Sequence, residues 1–257
     1  INYHGKLVIV PPDQKDFMPD INEFGKMISN KTKAVIINTP NNPSGVVYRE
    51  ETIRKIANVL ERKQKEYHCD IYMISDEPYR ELVYDNIEVP FLTKYYDNTI
   101  IAYSYSKSLS LPGERIGYLI IPDEAADFDN LVTAANITTR VLGFVNAPSL
   151  IQRTIGRCLD AKVDIEIYNK NRRLLIEKLK EYGYEFIYPE GAFYLFVKAL
   201  EEDDTAFVKR AKKYNLLVVP GTAFGCPGYI RIAYCVSYDQ ILRSLPFFEK
   251  LYREYRT

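Results

Sequence analysis

Apolar residues fall along this chain in two rhythms. Short unbroken runs stand at 34–38, 71–75, 99–103 and 116–121. Runs of that length without polar alternation predict strands of a parallel sheet, buried on both faces. Between them the spacing changes. Ile21, Phe24 and Ile28 within 21–29, and Ile53, Ile56, Ala57 and Leu60 within 50–68, recur at helical intervals. Asp20 stands where an N-cap belongs. Turn clusters close the runs: Thr39-Pro40-Asn41-Asn42-Pro43-Ser44-Gly45 after the first, Asp76-Glu77-Pro78-Tyr79 after the second. A further run, Val8-Ile9-Val10, predicts a short strand that stops at Pro11-Pro12. Strands alternating with helices predict an α/β class with a mostly parallel sheet.

After Pro122 the pattern changes. Helical spacing covers 123–140 and 147–161, and a long charged helix at 163–182 ends at Gly183. Short strands follow at 185–188, 192–197, 216–219 and 229–233, with helices at 205–214 and 238–255. That mixture predicts a smaller α+β domain. The division is therefore a large domain over 1–146 and a small domain over 147–257 that includes the linking helix. The chain opens on Ile1, close to a strand-like run, and reads as a piece of a longer polypeptide.

Composition narrows the classes. Hydrophobic residues make up 47% and charged residues 26%, as in an ordinary globular protein. Lys+Arg and Asp+Glu balance at 34 each, so no net field points to nucleic acid or to an anionic membrane. Cys69, Cys158, Cys226 and Cys235 lie far apart, which fits reduced thiols in a cytoplasm rather than a zinc or redox motif. No apolar run approaches the roughly 18 residues of a membrane span. His4 and His68 carry no motif and read as structural or exposed. The 22 tyrosines read as core and interface.

Candidate chemistry sits at the strand ends. Ligands of open α/β sheets bind beyond the carboxyl ends of the strands. Asn42, Asp76 with Tyr79, Ser104 with Lys107, and Arg115 at the start of a neighbouring strand all fall there. A desolvated lysine beside a cation can form a Schiff base with an aldehyde. Hydroxyls and an arginine suit a phosphate. An aldehyde that carries a phosphate points to pyridoxal 5′-phosphate. Each residue also has an ordinary reading: a solvated lysine, a helix-capping aspartate, an Asn-Pro turn, a surface arginine.

The order and spacing of five motifs decide between these readings. Asn41-Asn42-Pro43-Ser44-Gly45, Ser75-Asp76-Glu77-Pro78-Tyr79, Ser104-Tyr105-Ser106-Lys107, Gly113-Glu114-Arg115-Ile116-Gly117 and Tyr229-Ile230-Arg231 together resemble the class I/II, fold-type I aminotransferases. The resemblance covers the whole chain and implies pyridoxal 5′-phosphate as cofactor. It implies Lys107 as the Schiff-base lysine and proton carrier, and Asp76 as the partner of the ring nitrogen. Tyr79 and Asn42 would face the phenolic oxygen, and Ser104, Ser106 and Arg115 the phosphate. Arg231, with Asn42, would hold the substrate carboxylate. Phe224, in Gly221–Gly225, would line the pocket. The implied activity is transfer of an amino group between an L-amino acid and a 2-oxo acid. Alternatives of the same fold are a C–S lyase, a decarboxylase, or the non-catalytic effector half of a transcription regulator. The family also has an N-terminal portion that does not appear here. It would supply a phosphate-gripping loop, a ring that stacks on the cofactor, two strands and part of a homodimer interface.

Overall fold

The computed structural model describes residues 5–256, so His4 lies outside the described residues. Two sheets organise the chain. The first has strands β1 (Ala34–Asn38), β2 (Tyr72–Asp76), β3 (Thr99–Ser104) and β4 (Gly117–Ile120) in that order. β1, β2 and β3 run parallel, and β4 closes the edge antiparallel to β3. The helix α1 (Ile21–Met27) begins as expected, with the Asp20 carboxylate accepting from the N–H groups of Asn22 and Glu23. The helix α2 (Glu50–Tyr67) lays Ile53, Ile56, Ala57 and Leu60 on the sheet, against Ile37, Ile71 and Met73. Parallel strands need such a crossover, and a helix of this length supplies it.

A four-residue helix, α3 (Tyr105–Ser108), follows β3 directly. Then come α4 (Phe128–Val141), α5 (Ser149–Ile155) and the long α6 (Ile165–Tyr182). The second sheet has order β5 (Phe186–Ile187), β6 (Tyr194–Lys198), β8 (Tyr229–Ala233), β7 (Val219–Pro220), all antiparallel. It packs with α6, α7 (Asp204–Lys212) and α8 (Tyr238–Glu254) around Leu175, Leu179, Phe207 and Phe248. Gly183 ends α6 at φ 99°, and a Cβ there would meet the Tyr252 hydroxyl at 2.4 Å. Both the backbone angle and the contact require glycine.

The two sheets are stitched together. Tyr79, Leu82 and Tyr84, just after β2, are buried in the core of the second sheet. The turn after β1 receives N–H donation from Glu190 and Gly191 at the Gly45 carbonyl, 2.9 Å each.

Three expectations need correction. Val8–Val10 forms no strand; Val8 and Ile9 are exposed and pair with nothing in the sheet. An apolar run becomes a strand only where an edge accepts it. The strand β1 is not buried on both faces, since Ile36 is 67% exposed. All four residues of β4 are exposed as well. α2 covers one face of β1 and leaves the other bare, while β4 at the sheet edge is covered on neither face. Finally, Lys107, which the sequence places in a hydroxyl-rich loop just past the run at 99–103, sits instead in α3, because Ser104 caps a helical turn there. Among the described residues, no helix is long and apolar enough to cross a membrane.

Candidate active site

The parallel register sets Asn38 beside Asp76, and Asp76 beside Ala102, so the carboxyl ends of β1, β2 and β3 form one rim. Each strand stops where its apolar run stops, and the polar residues that follow are left at that rim. Asp76 is half-buried there. The Asn38 Nδ2 amide donates to Asp76 Oδ2 and to the Asp76 carbonyl, both at 3.0 Å. Asn38 Oδ1 accepts from the Asn42 N–H at 2.7 Å. Burial pushes the Asp76 carboxyl above its usual range; the Asn38 amide pulls it down, and the nearby charge of Glu77 adds to the rise.

The turn after β1 is held by Asn41, whose Oδ1 accepts from the Ser44 N–H and hydroxyl. It presents Asn42, and Asn42 Oδ1 accepts from Arg231 Nη1 at 2.9 Å. This bond joins residues 189 positions apart and links the first sheet to the second. Arg231 lies in the middle of β8, opposite Phe196 on β6 and Val219 on β7. Its guanidinium stacks over Tyr194 at 4.3 Å and Phe224 at 4.7 Å from the ring centroids. Its Nε is buried with no hydrogen-bond partner. The turn that carries Phe224 is fixed by buried Asp204, which accepts from Thr222 N–H at 2.8 Å and Gly228 N–H at 3.2 Å.

Tyr79 is buried, and its hydroxyl shares a hydrogen bond with the Tyr194 hydroxyl at 3.2 Å. Burial, then that bond, push the Tyr79 phenol well above its usual range, while the Arg231 charge opposes them. At neutral pH it is a protonated donor. Lys107 is half-buried, with Nζ 5.4 Å from the centre of the Phe193 ring. Ser104 Oγ accepts from the Ser106 N–H at 3.1 Å, and the two hydroxyls are 2.7 Å apart.

The structure thus brings Asn42, Arg231 and Phe224 into contact, and joins Asp76 to Asn42 through Asn38. Tyr79 reaches Arg231 through Tyr194, and Ser104 meets Ser106. Arg115 is not drawn in: it is exposed, and its Nη1 donates to the Pro112 carbonyl of its own turn at 3.0 Å. The Lys107 amine lies beside the aromatic ring of Phe193. Asn38, Tyr194, Phe193 and Asp204 escape a sequence reading. Asn38 carries the one available signal, since it ends a buried run just as Asp76 does.

These residues fit a phosphorylated pyridine aldehyde. The set holds one primary amine, one carboxylate, two adjacent hydroxyls and a neutral phenol donor. A buried carboxyl with a raised pKa is short of donors, and a protonated ring nitrogen is one. The unpartnered Arg231 Nε calls for an acceptor, which a carboxylate supplies.

Comparison with known proteins agrees with the geometry. The family model described as aminotransferase class I and II matches residues 2–245. An aspartate aminotransferase of Thermotoga maritima is 32% identical over 234 residues, covering 90% of this chain and 59% of the relative. Aromatic-amino-acid aminotransferase 2 of Thermococcus litoralis is 30% identical over 262 residues, covering 97% of this chain and 65% of the relative. A crystal structure of an amino transferase from Eubacterium rectale superposes with a TM-score of 0.95 at 53% identity, over 98% of this chain and 63% of that one. The chain therefore spans about three fifths of the length of the proteins it matches. From the match over residues 2–245 and the shared fold, the chain belongs to the class I and II aminotransferases, a family of pyridoxal-phosphate enzymes.

Proposed function

We propose that the whole protein is an aminotransferase that moves an amino group between an L-amino acid and a 2-oxo acid, with pyridoxal 5′-phosphate held at the rim of β1, β2 and β3. The observation that carries this reading is the Asn42–Arg231 hydrogen bond, which brings the strand-end residues of one sheet to the arginine of the other. When bound, the cofactor supplies an aldehyde that takes the amino group and a ring that accepts electrons from the substrate Cα–H bond.

The chain's own residues do the rest. The Lys107 Nζ would hold the cofactor at its aldehyde and would move a proton at that nitrogen. The Asp76 carboxylate keeps a proton on the ring nitrogen. The Tyr79 hydroxyl and the Asn42 amide, whose Oδ1 is already engaged by Arg231, donate to the phenolic oxygen. Ser104 and Ser106 would offer their hydroxyls to the phosphate, and Arg115 would add its guanidinium there in place of its bond to the Pro112 carbonyl. Arg231 grips the substrate carboxylate with a planar fork, which lysine could not do bidentately. The rings of Tyr194 and Phe224 exclude water around that fork and strengthen it. The division into 1–146 and 147–257, a homodimer and a cytoplasmic location complete the proposal.

The discriminating experiment is a single-turnover reaction of the cofactor-loaded protein with L-amino acids. One equivalent of 2-oxo acid per site, with no ammonia, supports transfer. Pyruvate and ammonia from cysteine-type substrates, without 2-oxo acid from any other amino acid, overturn it.

A further inference from the structure

We propose that Asn38 is a positioning residue that fixes the Asp76 carboxylate for a protonated ring nitrogen; this rests on the cofactor reading above. The side chain of Asn38 has two N–H donors and one carbonyl, and the structure uses both ends. Its Oδ1 accepts from the Asn42 backbone N–H at 2.7 Å, a group that can only donate. That bond fixes which end of the amide faces which way, so Nδ2 must point at Asp76. Nδ2 then spans two oxygens of one residue, Asp76 Oδ2 and the Asp76 carbonyl, at 3.0 Å each. A donor shared between a main-chain oxygen and a carboxylate oxygen ties the carboxyl group to its own backbone. The carboxylate is thereby held in one rotamer, with Oδ1 left to face a ligand.

The backbone makes this possible. Asn38 and Asp76 are register partners at the last rung of two parallel strands. A side chain one residue earlier would point to the other face of the sheet. The same amide also braces Asn42, whose Oδ1 receives Arg231 Nη1. A continuous line of hydrogen bonds therefore runs from the carboxylate to the arginine fork: Asp76, Asn38, Asn42, Arg231. A donor to an ionised carboxylate also favours its charged form, against the burial that disfavours it.

The test is binding in the full-length protein, with two ligands. One is pyridoxal 5′-phosphate. The other is its deaza analogue, in which a C–H group replaces the ring nitrogen. Asn38→Ala is expected to bind pyridoxal phosphate about tenfold more weakly than the parent, the scale of one lost hydrogen bond to a charged group. Its affinity for the deaza analogue, which has no ring nitrogen for Asp76 but keeps the phenolic oxygen faced by Asn42, is expected to fall by clearly less than its affinity for pyridoxal phosphate, and the same ordering is expected of Asp76→Ala. Asn38→Ser, which retains a donor on a shorter side chain, is measured beside it and keeps the comparison open should the alanine variant fail to fold. An equal loss for both ligands, or no loss for either, overturns the positioning role. Failure of the parent protein to bind either ligand through Lys107 overturns the cofactor reading instead, so the two failures are distinct.

Discussion

At the scale of the residue, the site trades stability for function at Asp76. Burial raises this carboxyl, and the Asn38 amide offsets the rise only in part. A carboxyl raised on folding is favoured in its protonated form. The stability it contributes is present below the ordinary carboxylate pKa and is lost as pH rises through the raised value. At neutral pH the cofactor-free protein therefore keeps an ionised Asp76 at a cost. Asp76→Asn removes the charge and keeps an acceptor for Asn38. The variant is expected to melt at a higher temperature than the parent at neutral pH when both are free of cofactor. The difference should fade as pH falls through the raised value into the ordinary carboxylate range, as the parent's carboxyl also takes up its proton. Thermal melts across that range check it, and a variant that melts lower at neutral pH contradicts it. The same variant should lose cofactor affinity, as expected where a functional group is kept against its own stability.

At the scale of the element, the position of Lys107 depends on how closely β4 approaches β3. Gly117 pairs with Ser104, and a Cβ on Gly117 would lie 2.3 Å from the Tyr103 carbonyl oxygen. No side chain yields there, since the obstacle is backbone. Gly117→Ala must push β3 and β4 apart, at about 1–3 kcal/mol, and displace Ser104 and α3 with it. Chemical denaturation should show that loss, together with weaker cofactor binding. Unchanged stability would mean the strands are less tightly apposed than the structure has them. Much of this architecture is legible in the chain itself. β1 and β8 occupy 34–38 and 229–233 as the apolar runs predict, because turn residues bound both runs. Asp20 caps α1 and Gly183 ends α6 for local reasons that a sequence carries. α3 is too short to show a period, and Val8–Val10 has the composition of a strand without a partner. The candidate site divides in the same way. Asn42, Asp76, Tyr79 and Arg231 stand at motif positions. Asn38 and Tyr194 act through register and cross-sheet contact, which no local pattern records.

At the scale of the whole molecule, the site is a junction. The Asn42–Arg231 bond, the Tyr79–Tyr194 pair and the Gly45 carbonyl all tie residues before α4 to residues after α6. Elsewhere apolar surface is bare. α4 has no buried residue; Phe144 is 74% exposed, Leu150 73% and Ile36 67%. Bare apolar side chains and open strand edges favour association. Residues 1–257 produced alone are expected to self-associate as concentration rises, seen as faster sedimentation; a monomer at every concentration contradicts this. The central claim concerns Lys107. Borohydride reduction of the full-length protein with pyridoxal 5′-phosphate, followed by peptide mass mapping, tests it most directly. The account predicts one phosphopyridoxyl group per chain, on Lys107, and none on the Lys107→Ala variant. A label on another lysine, or a variant that still takes the label, would contradict it.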